Sequence, residues 1–213
     1  MKLYSFFRSS AAYRVRIALN LKELAYDQEP VHFRKDGGQH RLPEFLALNP
    51  QGLLPVLEDD GFVLQQSLAI IEYLDEAYPA TPRLVPKDLH DRAMVRAMSQ
   101  MIACDLHPLN NLRVLNYLRS TLDQDDAGVG EWYRHWVDEN LVGLEEMVRR
   151  HGGKCCFGDE PSLVDVCLVP QMYNARRFNC DLSELSGLVA VDEQLRKLTP
   201  VADAAPEVQQ DAE

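Results

Sequence analysis

The 213-residue chain has no apolar run approaching the roughly 20 residues that a membrane-spanning helix needs. It is short of positive charge: 22 Lys and Arg stand against 33 Asp and Glu, a formal net charge of −11. That deficit argues against nucleic acid and anionic membrane as partners, although an acidic metabolite can still bind wherever arginines gather. Cysteine is scarce and scattered. Cys104, Cys155, Cys156, Cys167 and Cys180 are odd in number, and none forms a C-x-x-C pair or a zinc-ligand spacing. They read as reduced thiols without a role, and no metal is expected. No internal repeat is visible, and no signal-peptide pattern precedes the first apolar run, so a cytoplasmic protein is expected. What remains is an ordinary globular composition, 46% hydrophobic and 26% charged. The length suffices for one domain, or two small ones, around a sizeable core.

Residues 1–79 read as a small α/β unit. Leu3–Phe6 is a short strand and Ser10–Leu21 a helix, in which Ala12, Val15, Ala18, Leu19 and Lys22 keep a helical period while Arg14 and Arg16 turn elsewhere. Tyr26–Val31 suits a second, parallel strand. Lys35–His40 is a polar loop with glycines. Leu42–Leu48 is a short helix stopped by Asn49-Pro50-Gln51-Gly52. Asp59-Asp60-Gly61 between two apolar runs predicts a hairpin, because an Asp-Gly turn needs positive φ. Ser67–Leu74 closes the unit as a buried helix. Three prolines within Pro79–Pro86 mark an extended linker, 80–87. From 88 to 200 the pattern is helical: His90–Leu122 with a kink at Pro108, Gly130–Arg150 ended by glycines, a helix capped by Ser162 and Asp165 and kinked at Pro170, and a last helix over Leu188–Leu198. The acidic stretch 201–213 is expected to be disordered.

Two helix starts can hold an anion. Ser9 and Ser10 stand where a strand hands over to a helix, and Gln66-Ser67 does the same after a later strand; free N–H groups and the positive end of a helix dipole meet at such places. Taken alone, Ser9-Ser10 reads as a plain cap, and the same reading is open for Gln66-Ser67. Leu54-Pro55 at the start of a strand is a candidate cis bond. His107 and Asn111, four apart, would share a helix face, with Asn110 and Arg113 beside them; a solvated stripe has equal claim. Arg176-Arg177 reads as surface unless a ligand calls for it. Trp132 and Trp136 read as packing.

The order β-α-β-α-β-β-α, with those two helix starts and the Pro-led strand, resembles the glutathione transferase fold: a thioredoxin-like N-terminal domain and an all-α C-terminal domain. The strings RSSAAYRVRIAL and ALNPQGLLPVL…QQSLAIIEYL resemble the zeta class of that family, and the likeness spans about Met1–Leu198. The usual zeta string has a cysteine where this chain has Ala11. The resemblance implies glutathione as a cofactor that is not consumed, held by Ser9, Ser10, Ala11, His40, Leu54, Pro55, Gln66 and Ser67, with His107, Asn111, Leu112 and Arg113 contributing. It implies Ser9 as the group that activates the thiol, with Ser10 as its rival. It implies Arg8 and Arg177, or Arg176 in its place, as ligands of a small dicarboxylic keto-acid, and Arg113 as a residue that tunes chain length. A homodimer is implied too.

The activity implied is cis–trans isomerisation of maleylacetoacetate to fumarylacetoacetate in aromatic amino acid degradation. A maleylpyruvate isomerase is the near alternative. A transferase acting on halo-acids is the second, and a non-catalytic binding protein of the same fold is the remote one.

Overall fold

The computed structural model describes the whole chain, Met1–Glu213. It divides into two compact units, one of Met1–Leu84 with Arg196–Glu213 and one of Val85–Leu195.

The first unit is built on a four-stranded sheet in the order β2-β1-β3-β4, with β1 over Lys2–Ser5, β2 over Asp27–Pro30, β3 over Val56–Asp59 and β4 over Phe62–Gln65. Helix α1 (Ser10–Leu21) makes the crossover that lets β1 and β2 run parallel; β3 and β4 pair antiparallel. Leu3 faces Leu57 across the β1–β3 ladder, and both are buried. The turn between β3 and β4 has Asp60 at φ 49° and Gly61 at φ 81°, as the Asp-Gly signal required. Helix α2 covers Pro43–Leu48, and α3 (Ser67–Ala77) packs on α1.

Arg14 and Arg16, which stand off the apolar period of α1, are nonetheless buried, at 2% and 0% exposed, and Lys22 is 0% exposed. Such charges are tolerated in a core only when paired. Lys22 meets Asp75 at 2.7 Å and the Pro82 carbonyl at 2.9 Å. Arg16 donates to Ser5 Oγ, the Phe7 carbonyl and the Ala204 carbonyl. One expectation for this unit fails, and it concerns the tail. Residues 201–213 are ordered: α9 (Thr199–Ala202) and a single turn at Pro206–Val208 pack into this unit, with Val201, Ala204 and Pro206 buried. Composition alone missed the small apolar residues that alternate with the acids.

The second unit is helical: α4 (Leu89–Gln100), α5 (Leu112–Ser120), α6 (Asp126–His151), α7 (Leu163–Arg177) and α8 (Ser186–Leu195). Asp88, Asn111 and Asp125 cap α4, α5 and α6 through their side chains. The Asp165 carboxylate accepts from the N–H and hydroxyl of Ser162 and from the Cys156 N–H, at 2.7–2.8 Å, so the capping box forms with Asp in the usual Glu position. The long helix expected over His90–Leu122 breaks into three. A π-helical stretch, Met101–Leu106, follows α4 and closes with the His107 N–H on the Ile102 carbonyl at 2.8 Å. Pro108 has no N–H to continue it, and Asn111 starts a new helix. His107 and Asn111 therefore do not share a helix face. Helix α7, by contrast, runs through Pro170 without a break.

Candidate active site

The first unit gathers its candidate residues at one end of the sheet. Strand β1 ends at Ser5, β3 begins at Val56 and β4 ends at Gln65, and the pairings Tyr4 with Val56 and Val56 with Gln65 make these the same end. The Phe7-Arg8-Ser9 segment, Leu54-Pro55 and Gln66-Ser67 all leave the sheet there. Phe6, Phe7, Leu54 and Val56 belong to one buried apolar cluster beneath them.

Ser9 is the N-cap of α1, and its Oγ accepts from the Ala12 N–H at 3.3 Å. A hydroxyl has one hydrogen and two lone pairs, so that bond leaves the O–H to donate. Ser9 and Ala11 are half-buried, whereas Ser10 is buried inside the first turn. Arg8 is also half-buried and lies over the Phe7 ring at 4.8 Å. The peptide between Leu54 and Pro55 is cis, as the sequence suggested. The turn before it is fixed by Asn49, which is 3% exposed: its side chain donates to the Leu53 carbonyl at 2.7 Å and accepts from the Gln51 N–H at 3.0 Å.

Gln66 is exposed, sits at φ 72° and donates to the Gln51 side chain at 3.0 Å. No side chain caps α3, unlike α1, α4, α5 and α6. Behind this open helix start, the buried Arg14 donates to Ser67 Oγ at 3.4 Å. The sequence reading missed Arg14 as a functional neighbour. Its signal was a charge within the buried, largely apolar run 12–19 of α1. His40 lies in a single turn, half-buried, edge-on to Phe33 at 4.7 Å, and burial with the neighbouring Arg41 lowers its pKa. Gly38 lets it fold back: a Cβ there would meet the His40 ring at 2.8 Å.

In the second unit, the segment His107–Asn111 is tied to α6. Asn110 donates to the Tyr133 carbonyl at 3.2 Å, and Trp132 donates to the Leu109 carbonyl at 3.0 Å. Asn111 is spent on capping α5, through the Arg113 N–H, while Leu112 and Arg113 are exposed. The end of α7 comes to the same part of α6. Phe178 stacks on Tyr133 with centroids 3.7 Å apart, and Arg177 lies over Phe178 at 4.9 Å. Burial pushes the Tyr133 hydroxyl far above its ordinary pKa. The two arginines differ: Arg176 is held by the fully buried Asp192 at 2.6 Å, whereas Arg177 is exposed. Arg176 is thus engaged in an ion pair at this helix end. Trp132 and Trp136 form an edge-to-face pair, as packing requires. The five cysteines are free, and burial pushes Cys155 up to about 12, which suits an inert thiol.

Comparison with known proteins bears on this geometry. Residues 3–82 match the family model for the glutathione S-transferase N-terminal domain. A protein of Vibrio cholerae described as a probable maleylacetoacetate isomerase is 53% identical over 210 residues, which cover 99% of this chain and 97% of that one. The holo structure of a maleyl pyruvate isomerase, described as a bacterial zeta-class glutathione transferase, matches with a TM-score of 0.96 and 43% identity over 100% of both chains. A maleylacetoacetate isomerase from Methylobacterium extorquens, solved with bound malonate and glutathione, matches with a TM-score of 0.94 and 36% identity over 100% of both chains.

Proposed function

The chain is a zeta-class glutathione transferase, and from that premise we propose that it is a glutathione-dependent cis–trans isomerase converting maleylacetoacetate to fumarylacetoacetate in the degradation of tyrosine. The observation that carries this reading is the single sheet end where Ser9 caps α1, Leu54-Pro55 leads into β3 and the uncapped start of α3 opens. These residues fit glutathione. An open helix start backed by the buried Arg14 suits a carboxylate, the peptide before Pro55 suits strand-like pairing with an extended ligand, and the Ser9 hydroxyl suits a thiolate.

Glutathione held by Ser9, Leu54, Gln66 and Ser67 would supply the chemistry of reversible thiolate addition, in which the electron pair of the cis double bond would pass to an enolate and return once the bond had rotated. The chain's own task is to raise the thiolate fraction and hold the substrate. Ser9 does the first. A free thiol has a pKa of about 8.5, and a hydrogen bond to a charged group contributes about 1.5–3 kcal/mol, or about one to two pKa units. The dipole of α1 acts in the same direction. Arg8 and Arg177 do the second, since a guanidinium stays charged when partly buried and pairs with a carboxylate through two bonds. No step needs a net oxidation or a hydrolysis.

Maleylpyruvate is the alternative substrate, favoured by the 0.96 match to an enzyme named for it and by the exposed Arg113. Rates on maleylacetoacetate and maleylpyruvate, each with catalytic glutathione, test the reading. Faster turnover of maleylacetoacetate supports it, and no turnover of either acid removes it. The protein is further proposed to be cytoplasmic and a homodimer; sedimentation as a single 24.2 kDa species would reject the dimer. No helix is long and apolar enough to cross a membrane.

A further inference from the structure

The ordered C-terminal segment ends on the loop that carries the candidate catalytic serine. Phe7, two residues before Ser9, is 4% exposed, and its N–H donates to Asp211 Oδ2 at 2.9 Å. The Phe7 carbonyl accepts from Arg16 at 2.9 Å, and the same guanidinium donates to the Ala204 carbonyl at 3.0 Å. Both backbone groups of Phe7 are thus linked to residues 204–211. The loop then turns at once, with the Ser9 N–H on the Phe6 carbonyl at 2.9 Å.

The segment is itself fixed along β2. Gln28 and Gln209 join through their side chains at 2.7 Å, Gln210 donates to the Gln28 carbonyl at 3.1 Å, and Gln209 also donates to the carbonyls of Asp203 and Ala205. Glu213 accepts from His32 at 2.9 Å, with Arg34 and Lys35 within 4 Å. His32 packs edge-on to Phe6, so this last contact also reaches the loop.

We propose that residues 204–213 form a brace that sets the position of Ser9, with Asp211 as its positioning residue. The proposal rests on the reading of Ser9 as the group that activates glutathione. Asp211 acts through the backbone of Phe7 and does not touch the reacting atoms. Removing its carboxylate leaves a buried N–H without its acceptor, and the loop moves to find another. Catalysis is sensitive to displacements of that size: about 1 Å can cost as much as a hundredfold.

The test compares wild type, Asp211→Ala and Asp211→Asn as full-length protein. In the ligand-free protein, amide exchange at Phe7–Ser9 should quicken in Asp211→Ala. With glutathione bound, ultraviolet titration should show the thiol pKa raised by about one unit, equivalent to about a tenfold loss of thiolate at neutral pH. The kcat should fall by a similar factor, with KM for the diacid changing less. Asp211→Asn, whose amide oxygen can accept the same hydrogen bond, should restore most of both. Deletion of residues 211–213 keeps the Arg16–Ala204 bond and repeats the test should Asp211→Ala fold poorly. A wild-type thiol pKa and kcat in Asp211→Ala would overturn the brace while leaving the proposed function standing. A wild type that neither binds glutathione nor lowers its thiol pKa would overturn the function instead. Amide exchange then decides the brace alone: faster exchange at Phe7–Ser9 upholds it, and unchanged exchange removes it.

Discussion

Replacing Ser9 by alanine removes two things at once, and their sizes can be separated. The first is the N-cap of α1, formed by the 3.3 Å bond from the Ala12 N–H. Losing a serine cap costs about 1 kcal/mol, which for a protein of this size lowers the melting temperature by about 2–4 °C. The second is the hydroxyl that we propose donates to the thiolate, at about 1.5–3 kcal/mol. That corresponds to about one to two pKa units on the bound thiol, and a return toward the free value of about 8.5 cuts the thiolate present at about pH 7, and the isomerisation with it, by roughly 8- to 25-fold. Ser9→Asp isolates the second effect. Aspartate caps a helix as well as serine does, but its carboxylate only accepts hydrogen bonds and adds a negative charge. The melting temperature should therefore return toward wild type while the thiol pKa rises further. Ser10→Ala is the control, because Ser10 is buried in the first turn and offers less to a ligand. The assay is ultraviolet titration of bound glutathione alongside isomerase rates and melting curves. Equal thiol pKa values in Ser9→Ala and Ser10→Ala would refute the assignment, as would an unshifted value in Ser9→Asp.

The other predictions concern charge. Arg177→Met should raise KM or lower kcat for the diacid with glutathione affinity nearly intact; loss of glutathione binding with unchanged diacid kinetics would put this arginine in the wrong subsite. Arg176→Met should instead destabilise the fold, by about 2 kcal/mol in a denaturant titration, because it removes the guanidinium that pairs with the fully buried Asp192; the value is set below that of a wholly buried pair because Arg176 is one-third exposed. The hydrogen bond from His32 holds the Glu213 carboxyl below its ordinary value. Its contribution is therefore present above the unfolded value of about 4.3 and is lost as pH falls through the lower folded value. Wild type should melt above Glu213→Gln at neutral pH, and the two curves should converge in that acid window; a gap that persists there would contradict the linkage.

Much of the first unit was legible because its signals are local. Ser9 caps a helix whose bounds, Ser10–Leu21, match the periodicity to the residue. Asp60-Gly61 makes the turn that its chemistry requires, and Asn49-Pro50-Gln51-Gly52 stops α2 where predicted. The capping box at Ser162 and Asp165 formed for the same reason. Each of these depends on residues within about four positions of one another, which is the range over which a side chain can satisfy a neighbouring backbone group. The break at Pro108 was half legible. A proline predicts a disturbance but not its form, and whether the helix kinks or ends depends on a competing cap, here Asn111, whose claim also lies in the sequence but was read as a helix face.

What could not be read is where a distant partner decides the outcome. Arg16 looks like surface on a helical wheel, because burying a guanidinium is unfavourable until its donors are met. Three of the groups that meet them, Ser5 Oγ and the carbonyls of Phe7 and Ala204, lie 9–188 residues away, and burial still lowers its pKa to about 10. The same contact explains the tail. Acidic and alanine-rich, residues 201–213 lack the apolar content to fold alone, yet they need not fold alone when a buried arginine and a buried N–H await an acceptor. The buried arginine and the ordered tail therefore explain each other, and expecting disorder at 201–213 left Arg16 without one of its acceptors. A basic residue inside an otherwise apolar helix face is accordingly a signal for a missing acceptor elsewhere in the chain, and in this chain Ala204 supplies that acceptor while Asp211 reaches the backbone of the same loop.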